Sequence, residues 1–230
     1  MAGAGKKTFT AGEVLTASDV NTYLMEQSVM VFGGTAARSS AIPTPSEGMT
    51  TYRTDTQQIE SYDGANWIGM SGLQLVKKQT IGSAVSSVTV TGAFSATYEN
   101  YKVIIAGGAN SVDNAQIQLQ LGSTTSSYIY SFGVFSSGFA AGVGSTSAAN
   151  FANAGEIDTN KLVFNVEIIN PFLSKQTVVN GLGGYNLTNN NSRTAYQGVL
   201  PNTTSYTAFT LIASSGAMTG GTIYVYGYGT

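Results

Sequence analysis

The chain has 230 residues, enough for one large domain or for a small domain beside a larger one. Only 10% of the residues are charged and the net charge is −2, so the chain lacks the basic surface that nucleic-acid binding requires. It contains no cysteine and no histidine, which excludes disulfides, thiolate metal sites and the commonest general base and metal ligand.

The apolar content is distributed as in a folded protein. Hydrophobic residues make up 42% of the chain, which argues against disorder. No apolar run approaches the roughly 18 residues of a membrane helix, and the opening MAGAGKKTFT lacks the apolar stretch of a signal peptide. We therefore expect neither membrane insertion nor export by that route.

The N-terminal region predicts an extended arm and one helix. Residues 1–15 are rich in glycine and alanine, and Thr16 or Ser18 can then cap a helix over 17–31. This helix is too short to be stable alone, so the apolar stripe along one of its faces needs a packing partner. That partner is either the rest of its own chain or the same helix in identical subunits. The stripe residues predicted to serve oligomer or anchor contacts are Val20, Leu24, Gln27 and Val31.

A linker and a small sheet are predicted next. Glycines and two prolines over 33–46 are typical of a linker. From 48 to 70, short alternating segments around an Asp63-Gly64 turn predict a three-stranded meander. It has few large side chains, so we expect oligomerisation to cover it.

From Leu73 onward, alternating segments separated by Gly, Ser and Asn clusters predict ten long strands. Residues 116–121 show the pattern most clearly, with apolar side chains at every second position. No helix is predicted between the strands, so we expect an antiparallel β-sandwich, jelly-roll-like, with a long loop over 136–155. The predicted strands are 73–80, 87–91, 101–106, 116–122, 129–135, 161–169, 176–185, 193–199, 208–213 and 222–226.

The last strand organises this domain. Ile223 and Val225 fall on one face, while Thr222, Tyr224 and Tyr226 fall on the other. Such an apolar terminus must be tied into a sheet. The predicted division is an anchoring arm and helix over 1–32, a linker and meander over 33–71, and a sandwich head over 72–230; the fold class is mainly β.

Catalytic signals are weak. Beyond residue 100 the carboxylates are few, and the closest pair, Glu156 and Asp158, precedes a predicted turn. A serine nucleophile would lack its histidine, and a metal on Asp113 and Asn114 has no further support. We therefore expect no enzymatic activity, no cofactor and no metal.

Four segments carry a resemblance to a known family. FTAGEVLTASDVNTYLMEQ, PSEGMTTYRTDTQQIESYDGANW, FSATYENYKVII and MTGGTIYVYGYGT resemble the modular tail-fibre and receptor-binding proteins of tailed bacteriophages. The resemblance implies a homotrimer with an N-terminal virion anchor, a small neck and a distal sandwich head, made in the host cytoplasm and assembled into the virion. It implies no catalytic residue.

The resemblance leaves alternatives open. The chain has no extended shaft, so two other assignments stay open besides a tail fibre. They are a head or neck fibre without a receptor role and a polysaccharide depolymerase spike. The partners expected are further copies of the chain, virion proteins at the N-terminus and a host-surface glycan or protein.

The polar, uncharged composition independently favours sugar recognition, because aromatic faces stack on sugar rings and neutral groups bind hydroxyls. Positions near predicted loops are the candidate receptor contacts, against the alternative that most tyrosines cover sheet faces. They are Tyr128, Tyr130, Phe132, Phe135, Tyr185, Asn189, Asn190 and Tyr196.

Overall fold

The computed structural model describes residues 8, 10–25, 28–70, 72–136, 139–183 and 193–228. Its contacts divide the chain into two compact units, Met1–Gly72 and Leu73–Tyr228. The chain is mainly β, and its sheets are predominantly antiparallel, so the predicted fold class is confirmed.

The first unit begins with a short helical segment. Helix α1 (Ala17–Asp19) continues as a π-helical turn over Val20–Met25. The predicted cap at Thr16 is confirmed: its hydroxyl accepts the backbone N–H of Asp19 at 3.1 Å, and the Asp19 carboxylate accepts the Thr16 N–H at 3.2 Å.

The predicted extension of this helix to Val31 is wrong. Strand β1 (Met30–Phe32) runs through that residue and pairs in parallel with β2 (Thr50–Arg53). Backbone pairing to a sheet edge competes with a weak helical stripe here, and the β-branched valine suits the strand.

The predicted meander is confirmed as part of a four-stranded sheet. Strands β2, β3 (Gln58–Tyr62) and β4 (Trp67–Gly69) are antiparallel neighbours, and β1 adds the fourth strand. The Asp63 carboxylate accepts the N–H groups of Ala65 and Asn66, which closes the predicted turn.

A second helix replaces part of the predicted linker. Helix α2 (Thr35–Ala41) precedes the two prolines and carries the buried Arg38. That guanidinium pairs with the buried Glu60 carboxylate, which Arg53 also contacts at 3.0 Å. The side chain of Arg38 also lies 4.5 Å from the ring centre of Trp67.

The second unit contains fourteen strands among the residues described. In chain order they are β5 (Leu73–Thr80), β6 (Ser87–Val90), β7 (Asn100–Ala106), β8 (Ala109–Asn110), β9 (Ala115–Leu121), β10 (Tyr128–Ser136), β11 (Phe139–Ala148), β12 (Phe151–Asp158), β13 (Lys161–Ile169), β14 (Thr177–Gly183), β15 (Arg193–Leu200), β16 (Phe209–Ala213), β17 (Met218–Thr219) and β18 (Thr222–Tyr228).

Twelve of these strands form two antiparallel sheets that share one strand. An eight-stranded sheet runs β11-β10-β15-β14-β13-β7-β18-β5. A five-stranded sheet runs β13-β12-β9-β16-β6. The first half of β13 pairs with β12 and its second half with β7 and β14, so this strand passes from one sheet to the other.

The two sheets bury a common core. Alternate residues of β7, β9, β13, β16 and β18 are buried, as the pattern in Ala115–Leu121 predicts. The ring of Tyr128 on β10 lies 4.7 Å from that of Phe151 on β12, which joins the two layers. Ile223 and Val225 of the last strand are fully buried in the same core, as predicted.

The predicted long loop over 136–155 is wrong, because it contains β11 and most of β12. Among the described residues strand β11 pairs with β10 alone, so it lies at the edge of the sheet they form and needs no run of large apolar residues. In β12, Gly155 packs so closely that a Cβ there would lie 2.6 Å from the Val163 carbonyl oxygen. Small residues therefore mark close strand packing here rather than a loop.

Candidate functional site

The outer face of the eight-stranded sheet carries a continuous line of polar side chains. On β7, β13 and β18 the buried residues alternate with residues that face outward. Six outward residues are direct cross-strand neighbours on β18, β7, β13, β14, β15 and β10, and we call them the polar row. They are Tyr226, Lys102, Glu167, Asn180, Gln197 and Ser131.

Strand register alone builds this row. Each member pairs with the next one on the adjacent strand, without a shift between the first strand and the last. With strands spaced about 4.8 Å apart, the row extends roughly 24 Å across the sheet. A ligand lying along it would cross the strands rather than follow them.

The two charged members of the row neutralise each other. The Lys102 ammonium lies 3.8 Å from the Glu167 carboxylate, which also accepts a 2.5 Å hydrogen bond from the Tyr228 hydroxyl. Partial burial and this hydrogen bond raise the pKa of Tyr228 to about 12, so its hydroxyl stays neutral at physiological pH. The row therefore presents hydrogen-bonding groups without net charge.

Two adjacent depressions lie along the row. One has a volume of about 340 Å³ and is lined by Lys102, Glu167 and Asn180 together with Leu182. The other, of about 620 Å³, is lined by residues that include Ser131 and Gln197, together with Ile129, Thr146 and Val199. Each depression thus combines polar side chains of the row with neighbouring apolar ones, the composition typical of small-ligand sites.

Aromatic side chains lie at one end of the row. The rings of Tyr224 and Tyr226 are stacked, with centres 6.2 Å apart and planes 14° from parallel. The Lys78 ammonium lies 5.7 Å from the ring centre of Tyr224. Both tyrosines are half-buried on the outer face, so their polar edges remain available for contact.

Three predicted receptor residues lie in the core instead. Tyr128, Phe132 and Tyr196 are buried, so their predicted exposure at loops is wrong. The Tyr128 hydroxyl accepts the N–H of Leu121 at 2.8 Å and donates to the carbonyl of Thr124 at 3.1 Å. Burial raises its pKa to about 12. The reason for the error is strand phase, which turns these aromatic residues inward.

The remaining predicted receptor residues are placed only in part. Tyr130 is half-buried and stacks on Tyr196, with ring centres 6.0 Å apart. The backbone of Phe135 lies in β10. The other predicted contacts, Tyr185, Asn189 and Asn190, lie outside the described residues.

The predicted anchor residues do not form one helical stripe. Val20 is half-buried in the π-helical turn that also contains the backbone of Leu24, and Gln27 lies outside the described residues. Val31 lies in β1, where it is 64% exposed.

Three carboxylates of the second unit have structural partners. Glu156 and Asp158 are buried, and both contact the Lys161 ammonium, at 2.8 and 3.5 Å. Asp113 accepts the N–H and hydroxyl of Thr159. In the part of the chain that the structure describes, no cluster of three or more acidic, histidine or cysteine side chains could hold a metal ion, and no helix is long and apolar enough to cross a membrane.

Comparison with known protein families, with curated proteins and with solved structures found no match to this chain.

No sequence pattern singles out the polar row as a site. The alternation in the last strand predicts an outward face for one member, Tyr226, and none of the members is among the predicted receptor contacts. The alternation within the predicted strands indicates part of this arrangement, because Ser131 and Gln197 fall on the strand face opposite to that of the buried aromatic residues. The order of the strands, which brings these residues into one line, could not be read from the alternation.

Proposed function

We propose that the protein is a structural fibre protein of a tailed-phage virion that binds a host-surface glycan through the polar row. In this proposal the chain is a homotrimer, attaches to the tail through its N-terminal residues and has no catalytic activity. The observation that carries the proposal is the line of hydrogen-bonding side chains, without net charge, across the eight-stranded sheet. The resemblance of four sequence segments to phage fibre proteins supports the virion assignment.

The chemistry of the row favours a neutral, hydroxyl-rich ligand. Asn180 and Gln197 each offer an amide donor and an acceptor, and Ser131 offers a hydroxyl. Since Lys102 is paired with Glu167, no unpaired charge of the row attracts an ionic ligand. Sugar hydroxyls match such groups, and tyrosines beside them provide amphipathic contact area at low entropic cost.

The test is binding of the full-length protein to a panel of immobilised bacterial surface polysaccharides. Gln197→Ala and Asn180→Ala should each weaken binding about 2- to 10-fold, the effect of losing one or two neutral hydrogen bonds. Gln120→Ala makes the same chemical change on β9 of the other sheet and should leave binding unchanged. Equal losses for all three variants, or no binding to any polysaccharide or host cell, would refute the proposal.

A second measurement separates binding from hydrolysis. Incubating the protein with each bound polysaccharide should release no new reducing ends. Release of specific products that disappears in Glu156→Gln or Asp158→Asn would overturn the non-enzymatic part of the proposal. Both carboxylates contact the same Lys161 ammonium, an ion-pair arrangement that gives them a structural role in the proposal.

A further inference from the structure

A line of apolar side chains runs beside the polar row on the same face of the eight-stranded sheet. Its members are direct cross-strand neighbours on β13, β14, β15 and β10, and we call them the apolar row. They are Ile169, Val178, Val199 and Ile129. Ile129 is 38% exposed and the other three are half-buried, so the row reaches the surface of the sheet.

The two rows are in register on all four strands. Each member of the apolar row lies two residues from a member of the polar row, as Val199 does from Gln197 and Ile129 from Ser131. The two side chains of each such pair therefore point to the same side of the sheet. Two residues of a strand span roughly 7 Å, a length comparable with the width of a sugar ring. A ring lying on this face can thus contact both rows, one with each edge.

The larger depression contains members of both rows. Ser131 and Gln197 line it from the polar row, and Ile129 and Val199 line it from the apolar row. Its volume of about 620 Å³ is sufficient for a small ligand. The depression therefore offers hydrogen-bonding groups on one side and methyl groups on the other.

The apolar row is only one side chain wide. The polar row borders it on one side, and the exposed residues Gln176 and Ser127, which directly precede β14 and β10, border it on the other. A stable protein partner commonly buries about 800 Å² on each side around an apolar centre. A single file of four side chains is too narrow for such a centre, whereas it matches a thin ligand with polar and apolar groups on opposite edges.

We infer that the apolar row selects glycans whose sugars carry methyl groups, as deoxy sugars and acetylated sugars do. These groups project from the edge of the sugar ring, and their contact with Val199 and Ile129 would remove apolar surface from water. A sugar hydroxyl in the same position would lose its water without gaining a side-chain partner, because valine and isoleucine have no donor or acceptor. The inference rests on the proposed function, since it names the class of glycan that the polar row binds.

Binding of the full-length protein to matched sugar conjugates of polyacrylamide tests this inference. One pair carries L-fucose or L-galactose, which differ in having a methyl or a hydroxymethyl group. The other pair carries N-acetylglucosamine or glucose, which differ in having an acetamido or a hydroxyl group. The protein should bind the methyl-bearing member of at least one pair about 4-fold more tightly, the effect of burying one methyl group. The pair that shows this preference identifies a deoxy sugar or an acetyl group as its source.

The double variant Val178→Thr, Val199→Thr tests whether the preference comes from the apolar row. Threonine keeps the branching of valine but replaces one methyl group by a hydroxyl, so the preference should fall below about 2-fold. The melting temperature should stay within about 2 °C of the wild-type value, because both positions are on the outer face. Val143→Thr makes the same change on the opposite face, where Val143 pairs with the buried Phe132, and should keep the preference.

Three results would overturn the inference: equal binding within both pairs, no binding to any of the four conjugates, or a preference that survives in the double variant. If polysaccharide binding still depends on Asn180 and Gln197 in any of these cases, the proposed function stands and the apolar row does not select the ligand. If polysaccharide binding is instead indifferent to Asn180 and Gln197, the proposed function fails, and this inference fails with it.

Discussion

Substituting Tyr128 by phenylalanine distinguishes a core residue from a receptor contact. The side chain is fully buried, and its ring packs edge-to-face on Phe151. Phenylalanine keeps the ring and its packing but removes the hydroxyl. The Leu121 N–H, 2.8 Å from the Tyr128 oxygen, and the Thr124 carbonyl, 3.1 Å away, would then lose their partner.

The expected cost follows from leaving a buried donor without an acceptor. This costs about 1 to 3 kcal/mol of unfolding free energy. For a domain of this size the melting temperature should fall by roughly 2 to 12 °C. Polysaccharide binding by the folded variant should match that of the wild type, because the hydroxyl is not on the outer face.

The same substitution should change how the free energy of unfolding depends on pH in the alkaline range. Burial raises the pKa of Tyr128 from 10.0 to about 12, so the folded state holds a proton that the unfolded state loses first. This contribution is present below pH 10 and is lost as the pH rises from 10 to about 12. Tyr128→Phe should therefore lose less stability over this interval than the wild type does.

Thermal unfolding followed by circular dichroism at pH 7 and across the alkaline range measures both effects, with Tyr226→Phe as the matched control. Tyr226 lies on the polar row, so its variant should melt within about 2 °C of the wild type and bind polysaccharide about 2- to 10-fold more weakly. If Tyr128→Phe melts like the wild type but loses binding, Tyr128 is a surface contact and the reasoning is wrong.

Three further predictions concern other parts of the chain. Glu60→Gln should destabilise the first unit by about 3 to 5 kcal/mol, because it leaves the buried Arg38 without its anion; urea unfolding followed by tryptophan fluorescence would show an unchanged midpoint if the pair were unimportant. Gly198→Ala should cost about 1 to 3 kcal/mol, because a Cβ there would lie 2.6 Å from the Phe151 ring, and an unchanged melting temperature would contradict this packing. Stability should be nearly flat between pH 5 and 8, since the chain has no histidine, and should fall below pH 4 as groups such as Asp63 are protonated. Hydrogen bonds from Asn66 and Ala65 lower the Asp63 pKa below its ordinary 3.8, so the stability that Asp63 contributes is present above pH 3.8 and is lost as the pH falls through the lowered pKa of the folded state. A melting-temperature profile with a step between pH 5 and 8 would contradict the prediction.

The strands with large alternating apolar side chains were predictable from the sequence. Ile117, Leu119 and Leu121 are all fully buried on one face of β9, and the bounds predicted for β13 match those observed. In these segments the periodicity and the propensity of the residues favour the same structure.

Errors occurred where local signals were weak or were overridden by pairing. Strands β11 and β12 have few large side chains, so their glycines and alanines resembled a loop, although each strand is held by its neighbours. Val31 follows a helical stripe in sequence but forms a parallel pair with Tyr52, a contact that no local pattern encodes. Strand pairing depends on distant residues, and single-sequence periodicity does not contain it.

The candidate site was predictable in chemistry but not in position. The composition indicates polar, uncharged surfaces, and four of the six residues of the polar row are uncharged, whereas most of the predicted receptor contacts are aromatic residues near loops. On β10 the buried Tyr128 and Phe132 share one phase, and Ser131 occupies the other. Only the order of β10, β15, β14, β13, β7 and β18 brings the outward residues into one row.

The position of a bound oligosaccharide on the full-length protein tests the central claim most directly. In a structure of the complex with a fragment of the polysaccharide it binds best, the sugar rings should lie across the strands of the eight-stranded sheet, in contact with Asn180 and Gln197. An oligosaccharide bound to the five-stranded sheet, around Gln118 and Gln120, or bound to the first unit would contradict the claim.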